Sequence, residues 1–127
     1  VFRYKSIQSV VRFDDRVLNK ETLMLAVANG KYYGGGVKIA PSADIADGLL
    51  DIYHVDKMNP SRIIMLFPKL IKGEHEKFRE VTYSRSTKVN ISSREDFMLN
   101  IDGEALKAKE AVFEIIPKGI KLVVPLR

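Results

Sequence analysis

The chain has 127 residues, of which 46% are hydrophobic and 29% are charged. This composition is too apolar for a disordered chain and is sufficient for one globular domain with a hydrophobic core. The absence of cysteine excludes disulfides and cysteine-based metal sites or nucleophiles, and it agrees with a cytoplasmic location. The formal net charge of +5 favours anionic partners, but the basic residues are spread along the chain, so charge alone identifies no partner.

Neither a signal peptide nor a membrane-spanning segment is expected. The first ten residues already carry Arg3 and Lys5 and alternate like a strand. The longest apolar stretch, IIMLFPKLI, is nine residues long and is interrupted by Pro68 and Lys69, so it is too short to cross a bilayer. Because the chain begins with Val1 inside a patterned segment, we expect it to be a piece of a longer protein.

Most of the chain predicts β-strands separated by turn residues. In the first strand, Val11 and Phe13 share one face, and TLMLAVANG is typical of a strand that is buried on both faces. Turns are predicted at Asp14–Asp15, Ser92–Ser93, Asp102–Gly103 and Lys118–Gly119. The strand-like segments are SVVRFDDRVLN, TLMLAVANG, GGGVKIAP, GLLDIYHVD, VTYSRSTKVNISS, DFMLNIDG, EALKAKEAVFEIIP and GIKLVVPL.

One helix interrupts the strands. Asn59 is predicted to cap it, Pro60 suits its first position, and Gly73 suits the position after its end. Pro68 is expected to kink or break the helix because it lacks a backbone N–H. The apolar residues at helical spacing, which we expect to face the core, are Ile63, Leu66, Phe67, Leu70 and Ile71.

These elements predict a mainly β fold in a single domain over residues 1–127. We expect an antiparallel β-sandwich or flattened barrel of about eight to ten strands. One helical crossover is expected at about residues 60–72.

The residues of common enzyme motifs are sparse. His54 and His75 lie far apart without a second ligand at metal spacing, so both are predicted to be ordinary surface or strand residues. No serine lies in a G-x-S-x-G motif. The glycines at 34–36 match neither phosphate-loop pattern, and we expect them to allow a close approach of the backbone to another surface.

Two acidic clusters allow two interpretations each. Asp44 and Asp47 flank a turn in SADIADGLLD, where carboxylates and main-chain carbonyls can bind Mg²⁺ or Ca²⁺, although composition alone favours a simple turn. In LNIDGEAL, Glu104 follows an Asp-Gly hairpin turn. Composition and spacing do not decide whether Glu104 is a solvated charge or a carboxylate held towards a ligand.

Several motifs occur in an order that resembles a known family, and this resemblance decides between the alternatives. VANGKYYGGGVKIAPSADIADGLLDIYHV is followed by a helix ending in PKLIKGEH, then by LNIDGEAL and FEIIPKGIKLVVP. This series resembles the C-terminal domain of the diacylglycerol kinase-type lipid kinases, which include bacterial diacylglycerol kinases and, more distantly, sphingosine and ceramide kinases.

The resemblance implies half of a two-domain enzyme that transfers phosphate to an alcohol group of a lipid such as diacylglycerol. In that family an N-terminal α/β domain with a Gly-Gly-Asp-Gly-Thr motif binds ATP, and a C-terminal β-sandwich closes the cleft and carries the catalytic base. No Gly-Gly-Asp-Gly-Thr occurs in this chain, so the nucleotide-binding domain is expected to be absent from it. The isolated chain is therefore expected to be inactive.

The resemblance also assigns roles to particular residues. Glu104 matches the proton acceptor of the family. Asp47, with Asp44 and the main-chain carbonyl of Leu49, matches a structural Mg²⁺ site, and the resemblance leaves open whether Asp44 binds through its side chain or its backbone. The residues expected to lie beside the cleft, without a catalytic role, are Asn29, Gly30, Gly34, Gly35, Gly36 and Asp102.

The alternative function is a non-catalytic β-sandwich that binds acidic lipid or a protein partner, with Asp-Gly-Glu as a simple turn. A Gly-Gly-Asp-Gly-Thr segment upstream of Val1 would favour the kinase. For either function we expect a cytoplasmic protein that contacts an anionic membrane peripherally at most, with no nucleic-acid partner and with a homodimer left open. The expected substrate of the kinase is a lipid, and ATP is its co-substrate.

Overall fold

A computed structural model describes residues 6–32, 36–101 and 104–116. Its strands form one antiparallel sheet of six strands in the order β4-β3-β2-β1-β5-β6, and the helix α1 (Pro60–Lys72) connects β3 to β4. The predicted mainly β, antiparallel fold with one helical crossover is therefore confirmed. The strands are β1 (Ile7–Arg12), β2 (Val17–Ala28), β3 (Leu50–Asp56), β4 (Val81–Ser86), β5 (Lys88–Ile101) and β6 (Glu104–Glu114).

The sheet curls so that distant strands enclose one core. Ile52 of β3 and Val89 of β5 are both fully buried in the same cluster, with Val11 of β1 between them. Strands β3 and β5 are three steps apart in the sheet, which is about 14 Å if the sheet were flat. Their membership in one buried cluster therefore agrees with a curved, sandwich-like sheet.

Hydrogen bonds connect the β1–β2 turn to the end of β4, across the curved sheet. The main-chain N–H of Asp14 donates to the Ser86 hydroxyl at 3.1 Å, and the Thr87 N–H donates to the Asp14 carboxylate at 2.7 Å. These bonds join residues more than seventy positions apart in the chain. They lower the pKa of Asp14 below its usual value, because Thr87 donates to the ionised form.

Several strands differ from the prediction. The structure describes six strands rather than eight to ten, and the segment GIKLVVPL lies outside the described residues. Residues 37–40 form only an isolated bridge and a bend, so the strand predicted for GGGVKIAP is wrong there. The turn predicted at Ser92–Ser93 is also wrong, because β5 continues through these residues and accommodates a register shift between Ser92 and Phe97.

The ends of α1 follow the predicted pattern, with one exception. Pro60 occupies the first turn, and Gly73 ends the helix with a φ of 74°, which favours glycine. Asn59 is at the capping position, but its side chain makes no capping hydrogen bond. The helix continues through Pro68 to Lys72, so a break at Pro68 is excluded.

The side of α1 that faces the protein is narrower than predicted. Only Leu66 is buried, and Ile63 and Leu70 are half-buried beside it. Phe67 is 56% exposed and Ile71 is 42% exposed, so the prediction that they face the core is wrong. The row Ile63, Leu66 and Leu70 therefore faces the domain, and the next row remains in solvent.

Among the residues that the structure describes, no helix has the length and apolar character needed to cross a membrane.

Candidate functional site

The outer part of the β5–β6 hairpin extends beyond the rest of the sheet. Strand β1 pairs with β5 only over residues 90–93, whereas β5 and β6 pair as far as Ile101 and Glu104. Within the described residues, 97–101 and 104–108 therefore pair only with each other. We call these two segments the hairpin arm.

Glu104 lies on an apolar face of the hairpin arm. It is paired directly with Ile101, and Leu99 is paired with Leu106. Because directly opposed residues of an antiparallel pair project to the same face, and alternate residues share a face, these four side chains are neighbours. Phe97, on the same face, packs against the hydrophobic core and anchors the arm.

The carboxylate of Glu104 is available to a ligand. Glu104 is exposed, as are Ile101 and Leu106, at 43% and 45%. No hydrogen bond or ion pair from another described residue engages its carboxylate. A carboxylate held on a paired strand beside apolar side chains can accept a proton from a hydroxyl of an amphipathic molecule.

The loop between β2 and β3 contains the two aspartates of the predicted metal site. The Ala46 N–H donates to Oδ1 of Asp44, and the Leu49 N–H donates to Oδ1 of Asp47, each at 2.9 Å. Such bonds from a residue two positions later are typical of aspartate at turns. They engage one oxygen of each carboxylate, and no hydrogen bond from the described residues reaches the other oxygen.

Asp44 and Asp47 line the same open pocket, which has a volume of about 760 Å³. Two basic residues, Lys31 and Arg85, lie in the same lining. No residue of the hairpin arm lines this pocket, so the structure does not bring Glu104 together with the two aspartates there. The other lining residues are Tyr32, Pro41, Ser42, Ala43 and Ile45.

Arg85 fixes the loop of this pocket to the sheet. Its Nη2 donates to the carbonyl oxygen of Ser42 at 3.0 Å, and its Nε donates to Oδ1 of Asp51 at 3.1 Å. Asp51 is completely buried and also accepts a hydrogen bond from the Tyr83 hydroxyl. A buried carboxylate is stable only when it is paired, so Asp51 holds Arg85 and, through it, the loop.

The pKa values of two groups reflect this arrangement. Burial, together with the hydrogen bond to Asp51, raises the pKa of Tyr83 to about 12, so its hydroxyl remains a donor at neutral pH. The hydrogen bonds of Arg85 with Tyr83 and Asp51 raise the pKa of the guanidinium above its usual value. Arg85 therefore keeps its charge, and Tyr83 its proton, over the physiological pH range.

The two histidines are buried, so surface positions are excluded for both. His54 lies in a strand, β3, which agrees with the strand position predicted for it. His54 is 1% exposed and its Nε2 lies 2.7 Å from the Thr22 hydroxyl, while His75 is 3% exposed and its Nε2 bonds to the Ile39 carbonyl at 2.9 Å. Burial lowers the pKa of both. Among the described residues, no three histidine or acidic side chains form a metal-binding cluster.

The residues predicted to line the cleft are only partly within the described chain. Asn29 is exposed and Gly30 is half-buried beside Ile45. Gly36 has a φ of 80° and open space where a Cβ would lie, so the predicted close approach is wrong at this position and the backbone conformation explains the glycine. Gly34, Gly35 and Asp102 lie outside the described residues.

The chain matches the model of the YegS C-terminal NAD kinase beta sandwich-like domain over residues 1–124. The chain belongs to this family. The predicted resemblance to lipid kinases of the diacylglycerol kinase type is thereby confirmed, since YegS-like and diacylglycerol kinases are among its relatives.

Two curated relatives of the family illustrate the similarity. The chain is 28% identical over 121 residues to a diacylglycerol kinase of Staphylococcus epidermidis, covering 95% of the chain and 38% of that protein. It is 31% identical over 123 residues to the Shewanella frigidimarina protein named "Probable lipid kinase YegS-like", covering 96% of the chain and 39% of that protein. The chain thus spans about two fifths of the length of these relatives.

A solved structure shares the fold. A diacylglycerol kinase from Bacillus anthracis superposes with a TM-score of 0.65 at 20% identity, covering 90% of the chain and 41% of that protein. At this identity the likeness concerns the fold, and it agrees with the curved antiparallel sheet described above.

Proposed function

We propose that the chain is the C-terminal part of an ATP-dependent lipid kinase, in which Glu104 is the general base. The observation that carries this proposal is the family match over residues 1–124, together with relatives named as diacylglycerol or lipid kinases. The ATP would bind mainly to the other part of the full-length protein. The hairpin arm would present Glu104 to the lipid.

The proposed reaction transfers the γ-phosphoryl group of ATP to a lipid hydroxyl. The hydroxyl oxygen attacks the γ-phosphorus, a new oxygen–phosphorus bond forms, and the bond to the β-phosphate oxygen breaks to release ADP. The Glu104 carboxylate takes the hydroxyl proton. Phosphoryl transfer depends mainly on positioning and on charge compensation, and a positioned base adds about 10²–10⁴-fold to the rate.

The environment of Glu104 supports this role. A base for a lipid hydroxyl must lie where an apolar molecule can approach, and Ile101 and Leu106 offer apolar contacts on the same face of the arm. The backbone ladder between β5 and β6 holds the carboxylate at a defined place, which a flexible loop would not do. Glu104 is exposed, so a substrate can reach its carboxylate.

We also propose a structural Mg²⁺ at Asp44, Asp47 and the carbonyl of Leu49. Mg²⁺ in proteins is commonly bound by one or two carboxylates while keeping several waters. The donor set fits this preference, because each aspartate keeps one carboxylate oxygen that no described residue engages. Bound there, the ion would cross-link the loop beside the turn at Gly48, with Arg85 fixing the other end of the loop at Ser42.

An assay of the full-length protein with labelled ATP tests the kinase function directly. A panel of diacylglycerol, ceramide, sphingosine and monoacylglycerol in mixed micelles would identify the acceptor. The proposal predicts that at least one of these lipids is phosphorylated. Vesicle or lipid binding without phosphate transfer to any lipid would instead support the non-catalytic binding module.

A further inference from the structure

We infer that the exposed side of α1 docks on the surface of an anionic lipid bilayer. Four apolar residues, Ile64, Phe67, Pro68 and Ile71, recur at the spacing of one helix face. All four are exposed, with Ile64 at 73% and Phe67 at 56%. We call this row the outer face of α1.

The opposite side of the helix faces the domain through three kinds of contact. Leu66 is buried, and the Arg62 guanidinium forms an ion pair of 2.8 Å with Glu80, which is 11% exposed. At the C-terminal end, the Lys38 N–H bonds to the Ile71 carbonyl at 3.3 Å. These contacts place the helix with its apolar row outward.

Basic residues adjoin the outer face. Met65, Lys69 and Lys72 form the neighbouring row at helical spacing, so apolar side chains and ammonium groups lie side by side. An amphipathic helix with this arrangement binds at the boundary between lipid headgroups and acyl chains, with its apolar row buried and its lysines at the anionic headgroups.

The charge balance around α1 favours an anionic surface. Between Lys57 and Glu80 the chain carries six lysines and arginines against three glutamates. Glu74 is paired with Lys69 at 3.0 Å, Glu80 with Arg62, and Glu76 accepts a hydrogen bond from Ser42. Among the described residues, Lys72 and Lys77 have no ion-pair partner and remain available to lipid phosphates.

The choice of a bilayer over a protein partner rests on the proposed function, because a kinase with a lipid substrate must reach a membrane surface. The exposed apolar row supplies the non-polar part of such binding, and each lysine near an anionic membrane adds electrostatic attraction. Neither contribution requires a membrane-spanning segment.

Co-sedimentation of the 127-residue chain with phosphatidylcholine vesicles, with and without phosphatidylglycerol, tests the inference. We expect binding to the phosphatidylglycerol vesicles that weakens as NaCl is raised. Ile64→Ser/Phe67→Ser and, separately, Lys72→Glu/Lys77→Glu should each lower the partition coefficient by about tenfold or more. The four substituted side chains are all exposed, so the melting temperature of both variants should stay near that of wild type.

Matched controls distinguish binding through the outer face from non-specific hydrophobic binding and from an effect of net charge. Val17→Ser/Val112→Ser removes two other exposed apolar side chains, and Lys88→Glu/Lys109→Glu changes the net charge by the same amount as the lysine variant. Both controls should bind the vesicles nearly as wild type does.

Three results would overturn the inference: no binding of wild type to anionic vesicles, equal losses in the α1 variants and their controls, or self-association of the chain that Ile64→Ser/Phe67→Ser abolishes. Vesicle binding needs neither ATP nor phosphate transfer. A failure here alongside an active full-length kinase therefore contradicts only the docking surface. An inactive kinase whose chain still binds vesicles contradicts only the proposed function.

Discussion

Glu104 lies directly opposite Ile101 at the outer end of the β5–β6 ladder. This pairing places a carboxylate and an apolar side chain on the same face of the hairpin arm, and Leu99 and Leu106 continue that face towards the core. This arrangement suits the role proposed for Glu104, a base that acts on the hydroxyl of an amphipathic substrate.

The buried Asp51 should make Arg85 important for stability. We expect Arg85→Met to lower the free energy of unfolding by about 2–3 kcal/mol, because it removes a charged partner from a buried carboxylate. Arg79→Met is the matched control, since that arginine is 89% exposed and its contact with Glu80 is longer, at 3.5 Å. Urea denaturation of the three proteins gives the comparison. Equal midpoints for Arg85→Met and Arg79→Met would show that Asp51 does not depend on Arg85.

Asp47 should determine any stabilisation by Mg²⁺. If the ion binds Asp44, Asp47 and the Leu49 carbonyl, it binds the folded state and raises the melting temperature with its concentration. Asp47→Asn keeps the acceptor for the Leu49 N–H but removes the charge, so the Mg²⁺-dependent rise should disappear. Thermal denaturation with and without Mg²⁺ measures this.

Asp56→Asn is the control for the loss of one carboxylate elsewhere, and it should keep the Mg²⁺ response. A response of Asp47→Asn as large as that of wild type would remove the proposed ion from this loop.

The ion pair between Arg62 and Glu80 should make the stability fall in acid. The hydrogen bond from Arg62 lowers the pKa of Glu80 from its usual 4.5 to about 2. A folded-state pKa below the unfolded value means that the ion pair stabilises the protein above about pH 4.5, and that this stabilisation is lost as the pH falls towards 2.

Glu80→Gln should therefore be less stable than wild type at neutral pH and should lose less stability on acidification over that range. Denaturation midpoints measured at several pH values test this. Glu74→Gln is a suitable control because its ion pair with Lys69 is about half exposed, and such pairs contribute little. Parallel pH curves for wild type and Glu80→Gln would contradict the prediction.

Local patterns in the sequence predict much of this structure. The spacing of apolar residues, with Pro60 and Gly73 at the ends, places the helix at about 60–72, and the structure has it at Pro60–Lys72. Alternation correctly places Val11 and Phe13 towards the core. The Asp102–Gly103 pair predicts a two-residue connection, and the flanking strands pair with Ile101 opposite Glu104.

The remaining features depend on contacts between distant parts of the chain. Arg85 meets Asp51 and Ser42, which are 34 and 43 positions away, and no local pattern indicates these contacts. The periodicity of α1 shows which residues share a face, but not that Phe67 and Ile71 remain outside the core. His54 and His75 lack motif partners in the sequence, and only the folded chain shows that their Nε2 atoms bond to Thr22 and Ile39.

The turnover of a full-length Glu104→Gln enzyme tests the proposed mechanism most directly. The substitution keeps the size of the side chain and removes the proton acceptor, so kcat should fall by about 10²–10⁴-fold. The affinity for ATP should barely change, and the melting temperature of the chain should stay close to wild type. Glu110→Gln, on the same strand, is the control and should keep nearly full activity. A Glu104→Gln enzyme with a kcat near that of wild type would contradict the assignment of Glu104 as the general base.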